Sequence, residues 1–171
     1  MTAPAAPTGL ELLDETRTSV LAALLAVDAR LERDPADASA KADACSATPA
    51  FARIGGVLVT MSMIARLRGT DLTTHLMAVM ASEGNHLPED AWRGYVRIAE
   101  LVTADAVPPV PSVTRVALDA TAALEHELSA TAAAIGCTVP HLVSHLRSAT
   151  ISARLAPSPD GAVRVDFPEL V

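Results

Sequence analysis

"AFARIGGVLVTMSMIARLRG", residues 50–69, is the stretch on which the fold turns. Between its first arginines, Arg53 and Arg66, apolar residues fall on every side of a helical wheel: Ile54, Val57, Leu58, Val59, Met61, Met63 and Ile64. A helix without a polar face belongs in a core or against a partner. The apolar run 54–65 is shorter than the about twenty residues a bilayer span needs. Thr48 and Pro49 supply an N-cap and a first-turn proline, and Gly69 supplies a stop. The expectation is a buried helix from about residue 49 to 68, enclosed by neighbouring helices or by a second copy of the chain. Gly55 and Gly56 inside it cost about 1 kcal/mol each against alanine. Close approach of another backbone or a ligand would offset that cost.

Working outward, other segments carry one apolar stripe each at three-four spacing. Residues 10–33 place Leu13, Val20, Leu24, Val27 and Leu31 on one face, widened by Leu10, Leu21 and Leu25. Residues 34–49 read as a small-residue connector holding at most one weak turn. A short helix over 71–82 carries Leu72, Leu76, Val79 and Met80, and "EGNHLP" breaks it. Pro88 opens a helix over 89–103 with Trp92, Tyr95, Val96, Ala99 and Val102 on one side and Glu89, Arg93, Arg97 and Glu100 opposite. "VPPVPS", residues 107–112, forbids helix. Ser112 then caps a long helix that ends at Gly136, and Thr138 caps one more with Leu142, Leu146, Thr150 and Ala153 facing inward. The tail changes to period two around "PSPDG", which suits a small hairpin or an extended strap over the bundle. The fold class is all-α: a bundle of five to six helices over residues 10–156, a disordered tail at 1–9 and an extended or hairpin tail at 157–171.

Composition points the same way. Half of the 171 residues are apolar, yet only Phe51, Trp92, Tyr95 and Phe167 are aromatic, and alanine is about a fifth of the chain. Alanine is the best helix former because it loses no side-chain entropy. The balance of alanine, arginine and proline fits a high-GC bacterial genome. The net charge of −7 opposes general affinity for nucleic acid. The N-terminus lacks a basic region followed by an apolar core, so no signal peptide is read there and a cytoplasmic protein is expected. Cys45 and Cys137 read as reduced thiols.

"GCTVPHLVSHLRSA", residues 136–149, carries the sharpest motifs. With the preceding residues from 131 it resembles a helix-turn-helix, which would imply a DNA-binding regulator using residues 131–149. Against that stand one basic residue, Arg147, on the reading helix, Pro140 at a base-contacting position and a long preceding helix. His141 and His145 share one helical face and could begin a metal site, with Glu125, His126 or Glu127 as further ligands. "EGNH", residues 83–86, has one ExxH spacing where di-iron bundles need two. "HELSA", residues 126–130, lacks the second histidine of a zinc-protease motif. No metal site and no cofactor are assigned, and the carboxylate pairs Glu89/Asp90 and Glu125/Glu127 read as solvated charge.

The remaining texture is a methionine-rich surface. Met61, Ser62, Arg66, Met77, Met80, Trp92 and Tyr95 are the expected lining of an apolar cleft, with His75 as proton-transfer group and Glu83 and His86 at its rim. The first functional expectation is a small-molecule-binding bundle for an apolar ligand, with cofactor-free cyclase, isomerase or lyase chemistry open to it. The alternative is a non-catalytic interaction or regulatory protein. Its apolar content exceeds what a small monomer hides, so a twofold homodimer is expected.

Overall fold

Seven helices and one hairpin form among the residues that the computed structural model describes, namely 5, 8–104 and 112–170. Most of the expected N-terminal tail and residues 107–111 of the proline linker lie outside that set. The helices are α1 (Gly9–Leu31), α2 (Pro35–Ser46), α3 (Ala50–Leu67), α4 (Leu72–Glu83), α5 (Glu89–Thr103), α6 (Val113–Ile135) and α7 (Val139–Ile151). The expected all-α bundle is present, with seven helices rather than five or six.

The additional helix is α2, in the segment expected to be a connector. Asp34 accepts from the backbone N–H groups of Ala36 and Asp37, and Pro35 occupies the first turn. Alanine-rich sequence then propagates the helix. It lacks an apolar stripe, because only Cys45 is buried. Lys41 bonds Glu32 at 2.7 Å, and Arg53 donates to the Cys45 sulfur at 3.3 Å, so α2 is held between the end of α1 and the start of α3.

Caps fix the other boundaries. Thr8 and Glu11 form a reciprocal capping box on α1. Asp71, Ser112 and Thr138 each accept from a backbone N–H in the first turn of α4, α6 and α7. Thr48 makes no such bond; Pro49 itself is the extended residue before α3. Gly136 ends α6 in the left-handed region at φ 77°, which costs glycine nothing.

The core is aliphatic. Val20, Leu24 and Val27 of α1, Val57, Met61 and Ile64 of α3, and Leu124 and Leu128 of α6 are at most 1% exposed. Glycines let two helix pairs come close. A methyl group on Gly56 would overlap the Ser19 carbonyl of α1, and one on Gly94 would overlap the Asp119 carbonyl of α6. Gly55, by contrast, has nothing within 4 Å of the same position.

The chain's own helices α1, α4 and α6 pack on α3 but leave one flank of it open. Phe51 is 73% exposed, Arg66 is exposed, and Gly55, Leu58, Val59 and Ser62 are half-buried along the same flank. The expected rod without a wet side is therefore open along one edge in the single chain. By length and composition α3 could cross a membrane, yet 44% of that window is buried inside the fold.

After α7, β1 (Arg154–Pro157) and β2 (Val163–Asp166) pair antiparallel, with Leu155 opposite Val165. β1 therefore begins at Arg154, three residues before the tail bound of 157 that the sequence suggests. Phe167 and Leu170 then pack on the main core, and Arg17 of α1 donates to the Ala153 carbonyl at 2.6 Å.

Candidate functional site

Three helices meet at a buried polar cluster. His75 of α4, Tyr95 of α5 and Glu127 of α6 are 8%, 0% and 2% exposed. One Glu127 carboxylate oxygen lies 2.7 Å from His75 Nε2, and the other accepts the Tyr95 hydroxyl at 2.5 Å. Both carboxylate oxygens therefore have donors, as burial of a charge demands. Burial alone would raise the Glu127 carboxyl, but the bonds from His75 and Tyr95 outweigh it and hold the group below its ordinary value. Burial first, and the Glu127 charge second, push the Tyr95 phenol well above its ordinary range, so it stays a neutral donor.

A second histidine–carboxylate pair lies nearer the surface. His126 Nε2 is 3.0 Å from a Glu83 oxygen, and the His126 ring stands edge-on to Tyr95 with centroids 6.0 Å apart. Arg68 bonds the Thr131 hydroxyl at 3.3 Å on the next turn of α6. Glu127 and His126, one of them read as solvated charge in the sequence, are thus the organising residues of this region. Glu127 sits seven residues after Ala120 and four before Thr131, inside the buried stripe of α6; that register is the signal that marks it.

The expected site residues are not gathered into one cleft. Met61 and Tyr95 are sealed in the core, Met77 is 56% exposed, and Arg66 is exposed at the end of α3. Ser62 donates back to the Leu58 carbonyl of its own helix. Glu83 pairs with His126, away from His75. Arg66 borders a depression with Met63 and Phe167, and Trp92 one between α5 and α6, but His75, Tyr95 and Glu127 border none of the surface depressions among the described residues. Three of the expected residues do share one depression. Met80, His86 and Trp92 line a cavity of about 460 Å³ with Gly84 and Asn85, at the corner between α4 and α5.

No family model, curated protein or solved structure matches this chain.

The motifs of residues 131–149 fall on the end of α6, the Gly136 turn and α7. Arg147, the basic residue of the would-be reading helix, pairs with Asp28 of α1. The proposed extra ligands for His141 and His145 are engaged elsewhere: Glu125 with Arg30, His126 with Glu83, and Glu127 with His75 and Tyr95. Among the described residues no group of three His, Cys, Asp or Glu side chains converges as a metal site.

The largest of these depressions lies between α1 and α3. It is a groove of about 640 Å³ walled by Leu12, Thr16 and Ser19 of α1 and by Phe51, Gly55 and Val59 of α3, with Asp14 and Glu15 at its rim. Its floor is the open flank of α3.

Proposed function

We propose that the protein is a non-catalytic association module that pairs with a second copy of itself through the α1/α3 face. The observation that carries this reading is a knob and a hole on one surface. Phe51 stands 73% exposed at one end of the groove. One helical turn along lies Gly55, with no atom near its missing side chain. A twofold axis between them sets each Phe51 into the space over the partner's glycine, as a self-complementary interface requires. Large exposed apolar side chains beside an apolar groove are the ordinary mark of a protein contact. Acidic Asp14 and Glu15 give the patch the polar rim expected of one. The buried triad serves this role by tying α4, α5 and α6 into a rigid support.

Light scattering on the eluting protein tests it. The wild type is expected at twice the chain mass. Phe51→Glu, which alters an exposed residue, should elute as a folded monomer with unchanged helicity, its melting temperature lowered only by the lost association and no longer dependent on concentration. A wild type that stays monomeric at high concentration overturns the reading.

A second reading rests on the α4/α5 corner, where Met80, His86 and Trp92 offer an apolar floor and an imidazole to a small apolar molecule. The Trp92 ring lies 2.9 Å from where a Gly84 side chain would begin, so this edge of the cavity is kept open by glycine. Trp92 is the chain's single tryptophan. Its emission therefore reports on this cavity and on the α5/α6 depression that the same ring also borders. Titration with an anilinonaphthalene dye should shift that emission, and His86→Arg, which adds bulk and charge to this cavity but no second tryptophan, should block the shift. An unchanged spectrum counts against this reading and leaves the dimer standing.

A further inference from the structure

We propose that His141 and His145 form a two-point chelating site for a late divalent transition ion, copper(II) before nickel(II) or zinc(II). The two residues are one turn apart on α7, and their Nε2 atoms face each other at 3.0 Å, with ring centroids 4.4 Å apart. Two imidazoles bound to one ion at about 2.0–2.1 Å have nitrogens about 2.9 Å apart at a right angle and about 3.3 Å apart at a tetrahedral one. The observed separation lies between these values, nearer the right-angled one. The rings need move by no more than tenths of an ångström to share an ion. In the metal-free pair one ring donates to the other, so a single proton occupies the place the ion would take.

The surroundings hold the donors ready. Thr138 caps α7 through the His141 N–H, and Leu142 and Leu146 seat the helix in the core. Leu67, Ile135, Leu142 and Leu170 make the apolar wall of a 300 Å³ depression that both histidines border. No other side chain among the described residues bonds their ring nitrogens. His141 lies in the first turn of α7, where the helix dipole opposes a cation; this weakens affinity by less than about tenfold. Cys137 borders the same depression. Because no third side chain converges among the described residues, the remaining coordination positions fall to water or an incoming ligand. Tetragonal nitrogen–oxygen sites of this kind favour copper(II), which also heads the affinity order of the divalent series. The depression shares no lining residue with the α1/α3 groove, so this site stands or falls separately from the dimer.

The test is calorimetric titration of the untagged full chain with copper(II) alone, followed by electron paramagnetic resonance of the bound ion. One ion per chain with two nitrogen ligands is expected. His141→Ala and His145→Ala should each weaken binding at least tenfold, and His145→Gln, which keeps the side chain's bulk, should match His145→Ala. His86→Ala and His126→Ala should leave the affinity unchanged, and zinc(II) should bind more weakly than copper(II). Equal binding by the wild type and the His141→Ala/His145→Ala double variant overturns the proposal. So does a loss on Cys137→Ser as large as that from either histidine variant.

Discussion

Two regions of this molecule invert the usual division of chemistry between inside and outside. Around Glu127 a carboxylate, a phenol and an imidazole are buried, and every carboxylate oxygen is bonded. Along the α1/α3 groove apolar groups lie open: Phe51 at 73% exposure, and Gly55 with empty space above it. Buried polar groups and exposed apolar patches are the two informative departures from oil inside and polar groups outside. In the first region the departure is balanced within the chain. In the second it is not, and that imbalance is what points to a partner.

Removing one member of the balanced region should have the largest effect. Glu127→Ala leaves His75 and Tyr95 facing an empty, dry space, and a loss of about 3–5 kcal/mol is expected by analogy with broken buried pairs. Chemical denaturation measures it. The same carboxylate sets a pH signature. Its folded value is depressed below the ordinary 4.5, so its contribution is complete above that value and fades as pH falls through the folded value. Tyr95 works in the opposite direction. Its folded value is raised above 10.0, so its contribution holds below that value and declines in stronger alkali. Glu127→Gln should flatten the acid limb of a stability–pH curve, and Tyr95→Phe the alkaline limb. Limbs as steep as in the wild type would show that the triad is not what the two titrations report.

The neighbouring glycines sharpen the comparison at smaller scale. Gly56→Ala drives a methyl group into the Ser19 carbonyl, and about 1–3 kcal/mol of destabilisation is expected from overpacking. Gly55→Ala meets nothing and removes a flexible residue from a helix interior. It should stabilise the single chain by about 0.5–1 kcal/mol. It also fills the proposed receptacle for Phe51 and should weaken self-association. Opposite signs from adjacent residues would separate the packed side of α3 from the open one; equal losses would mean that both sides are packed.

Much of the bundle was legible because an apolar period marks α1, α4, α5, α6 and α7, and the caps read at Ser112 and Thr138 stand where α6 and α7 begin. The α2 helix was not, since Asp34 and Pro35 begin it without an apolar stripe to follow. The enclosure of α3 was expected from neighbouring helices or from a second copy, and the chain's own helices leave one flank open. Its composition lacks a polar face, but composition does not say which neighbours are long enough to cover it. Residue by residue, His75 was read as the proton-transfer group of a cleft, and the carboxylate that bonds it in the core, Glu127, was hidden by its neighbour Glu125. The two carboxylates sit two residues apart, so one faces Arg30 at the surface and the other the core. The absence of one cleft joining Met61, Met77 and Tyr95 follows from geometry that spacing along single helices does not contain.

The bond from Arg17 to the Ala153 carbonyl joins residues 136 positions apart, and α1 also packs on α7 and both hairpin strands. Synthesis on the ribosome therefore delivers the first helix long before its last neighbours. A chain arrested before α7 emerges leaves part of α1 uncovered. Such a chain keeps apolar surface of α1 exposed until α7 and the hairpin have emerged.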